Sequence, residues 1–166
     1  MTPVVYLLCG LPGAGKTHFA RDLVASQPNC VRLTLDEMMN RRWGEDPPAG
    51  QFKALYEQTL AELWQNCEAL LASKQSVVID TGFWTRQSRN EAKESVFAMN
   101  AKPVLIWLNT DPALCKERVL QRSQEVPEDS LYIDEPAFEL FRAQFEPPEA
   151  GEMAVTVDST AFNFTG

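Results

Sequence analysis

The chain has 166 residues, 45% hydrophobic and 23% charged, the composition of one soluble globular domain long enough to bury a core. Fifteen Lys and Arg stand against 23 Asp and Glu, a net charge of −8, which argues against extended nucleic-acid binding but leaves a few local arginines free to hold one phosphate. No apolar run reaches the about 18 residues that span a bilayer, and Met1-Thr2-Pro3-Val4 lacks the basic flank of a secretory signal, so the expectation is a cytoplasmic protein with no membrane contact.

Val4 to Cys9 (VVYLLC) is a continuous apolar run of strand length, followed by a Gly-rich turn. Lys16 to Ser26 carries Phe19, Ala20, Leu23 and Val24 at helical spacing. A short strand is expected at Val31 to Leu35, ending at Asp36. Asn40 to Gly50, with Arg41, Arg42, Gly44 and Pro47-Pro48, reads as a loop. Gln51 to Ala72 reads as a long helix with Leu55, Leu60, Leu63, Trp64, Leu70 and Leu71 on its apolar stripe. Ser76 to Ile79 is a strand ending at Asp80, Gln87 to Met99 a helix, and Pro103 to Leu108 (PVLIWL) another buried strand. Asp111-Pro112 supplies an N-cap and a first-turn proline for a helix to about Gln121. Ser123 to Glu135 is acidic and reads as an exposed flap. A helix over Pro136 to Phe145 and a last short strand over Met153 to Val157 complete the chain.

Strands that are apolar throughout are covered on both faces, and helices between them imply a parallel α/β sheet in a single domain over residues 1–166. The two irregular stretches have the length of lids. The four cysteines, Cys9, Cys30, Cys67 and Cys115, are scattered within apolar patterns and read as reduced, buried thiols.

Gly10-Leu11-Pro12-Gly13-Ala14-Gly15-Lys16-Thr17 matches G-x-x-x-x-G-K-[ST] in full. Glycines let backbone N–H groups curl around phosphate oxygens, and the following helix aims its positive end at the same anion. Lys16 would reach the β- and γ-phosphates of ATP, and the Thr17 hydroxyl would ligate Mg²⁺. A buried strand before the loop and an amphipathic helix after it are the context that this mechanism needs. His18 follows in the first helical turn, either touching the nucleotide or simply solvated.

Ligands of parallel sheets bind at the carboxyl ends of the strands, where Asp36 and Asp80 are both expected. Asp36 can take the proton of a substrate hydroxyl, or cap the turn Glu37 to Asn40. Asp80 ends Val77-Val78-Ile79-Asp80, a Walker B pattern, and can hold Mg²⁺ through water, contact the acceptor, or serve the turn before Gly82. Phosphoryl transfer concentrates negative charge on the migrating group, which arginines offset. Arg118 and Arg122 share a helix face just before the flap, with Arg122 better placed over the phosphates, unless both belong to a solvated face. Arg86 and Arg89 stand at a helix N-terminus, where a cation is unfavourable without an anion such as the acceptor or Asp80. Arg41 and Arg42 can hold an anionic acceptor, and Trp43, Phe83 and Trp84 can stack on a flat one or pack the core or lid.

These motifs resemble the small P-loop kinases that include polynucleotide 5′-kinases, zeta-toxin-like kinases and chloramphenicol phosphotransferase, and above all the "AAA family ATPase / predicted kinase" group beside them. The shared pattern runs through Gly10–Thr17, Asp36, Val78 to Arg86, the helix of Arg118 and Arg122, and Phe145-Glu146-Pro147-Pro148-Glu149. The resemblance implies a P-loop NTPase three-layer sandwich, with a five-stranded parallel sheet in the order 2-3-1-4-5 and a helical lid over about 119–136. It implies that Asp36 is the base and Arg122 a lid arginine. Asp46–Gln51 and Ser123–Glu135 are neutral to acidic where polynucleotide kinases are basic.

The expected activity is transfer of the γ-phosphate of ATP, with Mg²⁺, to a hydroxyl of a small-molecule or nucleotide-like acceptor touching Asp36, Arg41, Asp80 and Arg86. The protein is expected to act as a monomer or weak dimer. Two alternatives are an ATP-hydrolysing switch with a protein partner, docking through Ala161-Phe162-Asn163-Phe164, and a toxin-type kinase of nucleotide-sugars.

Overall fold

The computed structural model describes residues 2–43, 50–125 and 133–158, with the side chains of 123–125 left undescribed. Five strands, β1 (Val4–Cys9), β2 (Cys30–Leu33), β3 (Ser76–Gly82), β4 (Lys102–Leu108) and β5 (Val155–Val157), form one parallel sheet in the order β2-β3-β1-β4-β5. The helices are α1 (Lys16–Ser26), α2 (Leu35–Trp43), α3 (Phe52–Ala72), α4 (Arg86–Ala98), α5 (Pro112–Glu125) and α6 (Glu135–Gln144), with a single 3₁₀ turn at Ala150–Glu152 before β5. The expected strand order and sandwich are therefore present.

Alternation along the strands sorts the core into two layers. Val5, Leu7 and Cys9 of β1, with Val77 and Ile79 of β3 and Leu105 of β4, pack against α2, α3 and α4. Leu8, Val78, Ile106 and Leu108 turn to the other face, against Ala20 of α1, Cys115 and Val119 of α5 and Phe138 of α6. Both faces are covered, which is why the strands read as unbroken apolar runs. All four cysteines are free and buried. Among the described residues, no helix is long and apolar enough to cross a membrane.

Several boundaries differ from the sequence reading for local reasons. β2 stops at Leu33, and a helix has begun by Leu35. Leu35 and Met39, four apart, are both buried on one helical stripe, and Met38 N–H donates to the Thr34 carbonyl. Asp36 is thus in the first turn of α2 rather than at a strand end, and Arg41, Arg42 and Trp43 are helical rather than part of a loop. β3 runs past Asp80 to Gly82, because Cys9 pairs with Gly82 across a register shift. The Thr85 side chain accepts from Ser88 N–H while the Ser88 hydroxyl serves the Thr85 N–H, and this capping box starts α4 at Arg86. Residues 126–132 of the expected lid, the Pro47-Pro48 pair and the 161–164 tail lie outside the described residues.

Candidate functional site

The loop between β1 and α1 is built by close backbone approach. Gly13 has φ 82°, and a Cβ there would sit 2.3 Å from the Cys115 carbonyl oxygen of α5. Gly15, at φ 99°, is the N-cap of α1, so two left-handed glycines set the curl of the loop. Gly10 N–H donates to the Gly82 carbonyl (3.1 Å), and the Thr110 hydroxyl donates to the Ala14 carbonyl (2.8 Å), fixing both ends of the loop to neighbouring strands. Leu11, Pro12 and Ala14 supply buried packing beneath it.

Lys16 folds into this loop, its Nζ donating to the Gly10 (3.1 Å) and Leu11 (2.8 Å) carbonyls. Burial pushes its ammonium below the usual lysine range, while the charges of Asp80 and Asp36 work the other way. Thr17 Oγ1 donates to Asp80 Oδ2 at 3.2 Å, and Arg32 Nη1 stands 3.8 Å from the same oxygen. Asp80 is 5% exposed. Burial pushes its carboxyl above the usual aspartate range, against the opposing pull of Lys16, the Thr17 hydroxyl, Arg32 and Arg122. Lysine, hydroxyl and strand carboxylate thus meet at the carboxyl edge of β1 and β3.

Arg122 reaches this cluster electrostatically, since its charge acts on both Lys16 and Asp80. Arg118, one turn earlier on α5, donates to the Gly13 carbonyl at 3.3 Å. Asp36 is exposed in the first turn of α2, and its charge acts on Lys16 in the loop and on Tyr56 of α3. His18 is exposed on α1.

Two basic candidates lie against carboxylates of their own. Arg41 is 75% exposed and pairs with Glu37, one turn back on α2. Arg86 pairs with Glu149 at 2.9 Å, and its N–H donates to Glu146. The anion that Arg86 needs at the start of α4 therefore comes from the chain's own late segment, not from Asp80. Arg89 is no surface charge. It is fully buried, bound through Nε and Nη2 to both oxygens of Glu152 (2.7 and 3.2 Å), and its Nη1 donates to the Phe83 carbonyl at 2.9 Å. Phe83 has φ 45°, a strained conformation for a bulky residue, so Arg89 holds the strained turn at the end of β3.

These contacts give Phe145–Glu149 a physical role. Glu146 N–H donates to the Trp84 carbonyl at 2.7 Å, and Trp84 packs on Phe141 of α6 at 4.4 Å between ring centroids. The segment straps the β3–α4 turn from above. Sequence reasoning missed Arg32, Thr110, Tyr56 and the Arg89–Glu152 pair. Only Arg89 left a signal, as a cation at a helix start, and its partner lies 63 residues away.

The AAA domain family matches residues 5–148. No curated protein matches the chain. Among solved structures, the chain is similar to a chain of the Pnkp1/Rnl/Hen1 RNA repair complex, at 21% identity and TM-score 0.73 over 86% of this chain and 44% of that one. It is also similar to a candidate kinase from Chloroflexus aurantiacus, at 20% identity and TM-score 0.74 over 96% of this chain and 89% of that one. A gluconokinase from Sinorhizobium meliloti matches at 16% identity and TM-score 0.63, over 95% of this chain and 83% of that one. The chain spans less than half of the RNA-repair chain it resembles. At these identities the likeness shows a shared fold, that of the P-loop kinases. With the family's match running from the second residue of β1 to the strap beyond α6, the chain belongs to the AAA domain family and has a P-loop kinase-like fold.

Proposed function

We propose that the chain is an ATP-dependent phosphotransferase that passes the γ-phosphate to a hydroxyl of a small-molecule acceptor. The observation that carries this reading is the meeting of Lys16, the Thr17 hydroxyl and the Asp80 carboxylate at the end of β1 and β3, beside a groove at the carboxyl end of β3. Asp36, in the first turn of α2, is the carboxylate that would take the acceptor's proton as the hydroxyl attacks. The kinases among the similar folds support the same reading.

Backbone N–H groups from Gly10 to Thr17 would cradle the β- and γ-phosphates, with Lys16 turning from the loop carbonyls onto phosphate oxygens. The Thr17 hydroxyl and the Asp80 carboxylate, 3.2 Å apart, would hold Mg²⁺. Such an ion would keep waters and phosphate oxygens in the rest of its shell. When bound, Mg²⁺ supplies positive charge to the β- and γ-oxygens. Arg122 and Arg118 would offset charge on the migrating phosphoryl group from α5. His18, Arg41 and Arg86 are at most peripheral, since the last two already pair with Glu37 and Glu149.

ADP release with and without added acceptors tests the proposal. A transferase releases ADP at least tenfold faster with its acceptor, and Asp36→Asn removes that stimulation while ATP affinity stays. ADP release that no hydroxyl compound stimulates, and that Asp36→Asn leaves intact, would assign the chain to the switch class instead.

A further inference from the structure

A groove of about 340 Å³ opens between α3 and α4 at the carboxyl end of β3, within the range of small-ligand sites. It lies on the sheet face opposite α1, the face packed by α2, α3 and α4. Successive strand residues point to opposite faces, so Asp80 turns to Thr17 while Thr81, the next residue, lines the groove. The groove and the carboxylate of the phosphate site are thus carried by adjacent residues of β3, on opposite faces of the sheet.

Its walls are aromatic: Tyr56 and Trp64 from α3, Phe83 and Trp84 from the turn after β3. Its uncharged polar groups include the Thr81 hydroxyl, the buried Trp84 Nε1–H, and the Thr85 and Ser88 hydroxyls, the last two already serving the cap of α4. Glu91 is the one charged residue of the lining, and no Lys or Arg contributes to it among the described residues. Arg41, Arg42 and Arg86, the cations that sequence offered to an acceptor, pair with Glu37, Glu62 and Glu149 and are absent from the lining. An anionic acceptor would meet a carboxylate here with no cation in the lining to offset it. Flat rings fit between aromatic walls, and neutral hydroxyls can exchange hydrogen bonds with Thr and Ser.

Building on the kinase reading above, we propose that this groove is the acceptor site and that the acceptor is an uncharged small molecule with a flat apolar body and at least one free hydroxyl. That hydroxyl oxygen bonds to the γ-phosphorus as the bond to the β–γ bridging oxygen breaks. Asp36 takes the hydroxyl proton, and ADP leaves with the bridging oxygen. A 5′-hydroxyl nucleic-acid end and a nucleotide-sugar, both anionic, are disfavoured by the same lining.

Two matched pairs of probes test it: phenyl β-glucoside against phenyl β-glucuronide, and thymidine against thymidine 3′-monophosphate. In each pair one anionic group takes the place of one hydroxyl, C6-OH or 3′-OH, while the sugar 2-, 3- and 4-hydroxyls and the nucleoside 5′-hydroxyl stay free in both members, so preference is compared on products formed at those shared hydroxyls. Binding is read by tryptophan fluorescence, since Trp64 and Trp84 both line the groove, and transfer by ADP release; nucleotide binding is measured separately with a non-hydrolysable ATP analogue. The neutral member of each pair is expected to bind and stimulate ADP release at least tenfold better than its anionic partner. Glu91 is exposed on α4, so Glu91→Lys folds, and it should narrow that preference about fivefold, roughly the 1 kcal/mol of an exposed charge pair. Tyr56→Ala should weaken the neutral probe about tenfold without changing analogue affinity. Anionic probes used as well as the neutral ones would overturn the groove assignment and leave the kinase reading intact. So would failure of both neutral probes to bind up to roughly 10 mM, above the ~1 mM upper end of ordinary KM values. Neutral probes that bind without any analogue binding or ADP release would instead overturn the kinase reading and keep the groove.

Discussion

At the scale of single residues, the site is held together by groups that cost stability when the protein stands alone. Lys16 and Asp80 are both charged groups that burial disfavours, and each partly offsets the other. For Asp80 the folded carboxyl titrates above its ordinary value of 3.8, so the native state holds the proton more tightly than the unfolded chain. Its contribution to stability therefore falls as pH rises from the ordinary value through the raised one. Binding of Mg²⁺ by Asp80, as proposed above, would have the opposite dependence, since it needs the ionised form. The affinity for Mg²⁺ with ATP should weaken on acidification at a pH above the ordinary aspartate range, measured by titration at stepped pH. Thr17→Ala should reduce that affinity at every pH. Asp36→Asn should lower kcat by about 10²- to 10⁴-fold with little change in ATP affinity, the range of a lost general base. Lys16→Ala should lower both.

The phosphate loop was legible residue by residue because its chemistry is local: eight consecutive positions carry the glycines, the lysine and the hydroxyl. Asp80 was legible because the apolar strand before it ends on a charge. Asp36 was singled out on a structural premise that fails. Leu35 looked like the end of a strand, but the buried pair Leu35 and Met39 makes it the first residue of α2. Tyr56, Arg32 and Thr110 were not legible, because what gives each a place in the site is a neighbour distant in sequence.

At the scale of elements, the β3–α4 turn is the joint between the phosphate site and the groove. Phe83 holds a left-handed conformation there, and the buried Arg89–Glu152 pair fastens it. Arg89 keeps the Glu152 carboxyl below its ordinary value of 4.5. A depressed carboxyl contributes stability that is present above that ordinary value and lost as pH falls through the lowered one. Glu152→Gln leaves a buried guanidinium without its counter-charge and should cost about 3–5 kcal/mol at neutral pH by urea unfolding. The variant should also lose part of the wild-type acid dependence below pH 4.5. The paired replacement Arg89→Leu with Glu152→Leu should recover most of that stability, as apolar substitutes for buried ion pairs do. It should not recover activity, because the Phe83 carbonyl loses its guanidinium donor and keeps only the weak Cys9 thiol donor. Full activity in that variant would show that the pair serves packing alone.

At the scale of the whole molecule, the sheet order and both helical layers followed from strand-length apolar runs alternating with amphipathic helices. The strap from α6 to β5 did not, because its polar contacts join residues about 60 apart. It ties α6, which follows the expected lid, to Trp84 in the groove wall. Phe141→Ala, which removes the ring under Trp84, should raise the acceptor KM severalfold while leaving ATP affinity unchanged in a steady-state assay.

Transfer and hydrolysis leave different phosphorus products, and phosphorus NMR of a reaction with limiting ATP reads them directly. With an acceptor present, the γ-phosphate should appear as a phosphomonoester resonance that Asp36→Asn abolishes. Accumulation of inorganic phosphate alone, unchanged by acceptor and by Asp36→Asn, would contradict it.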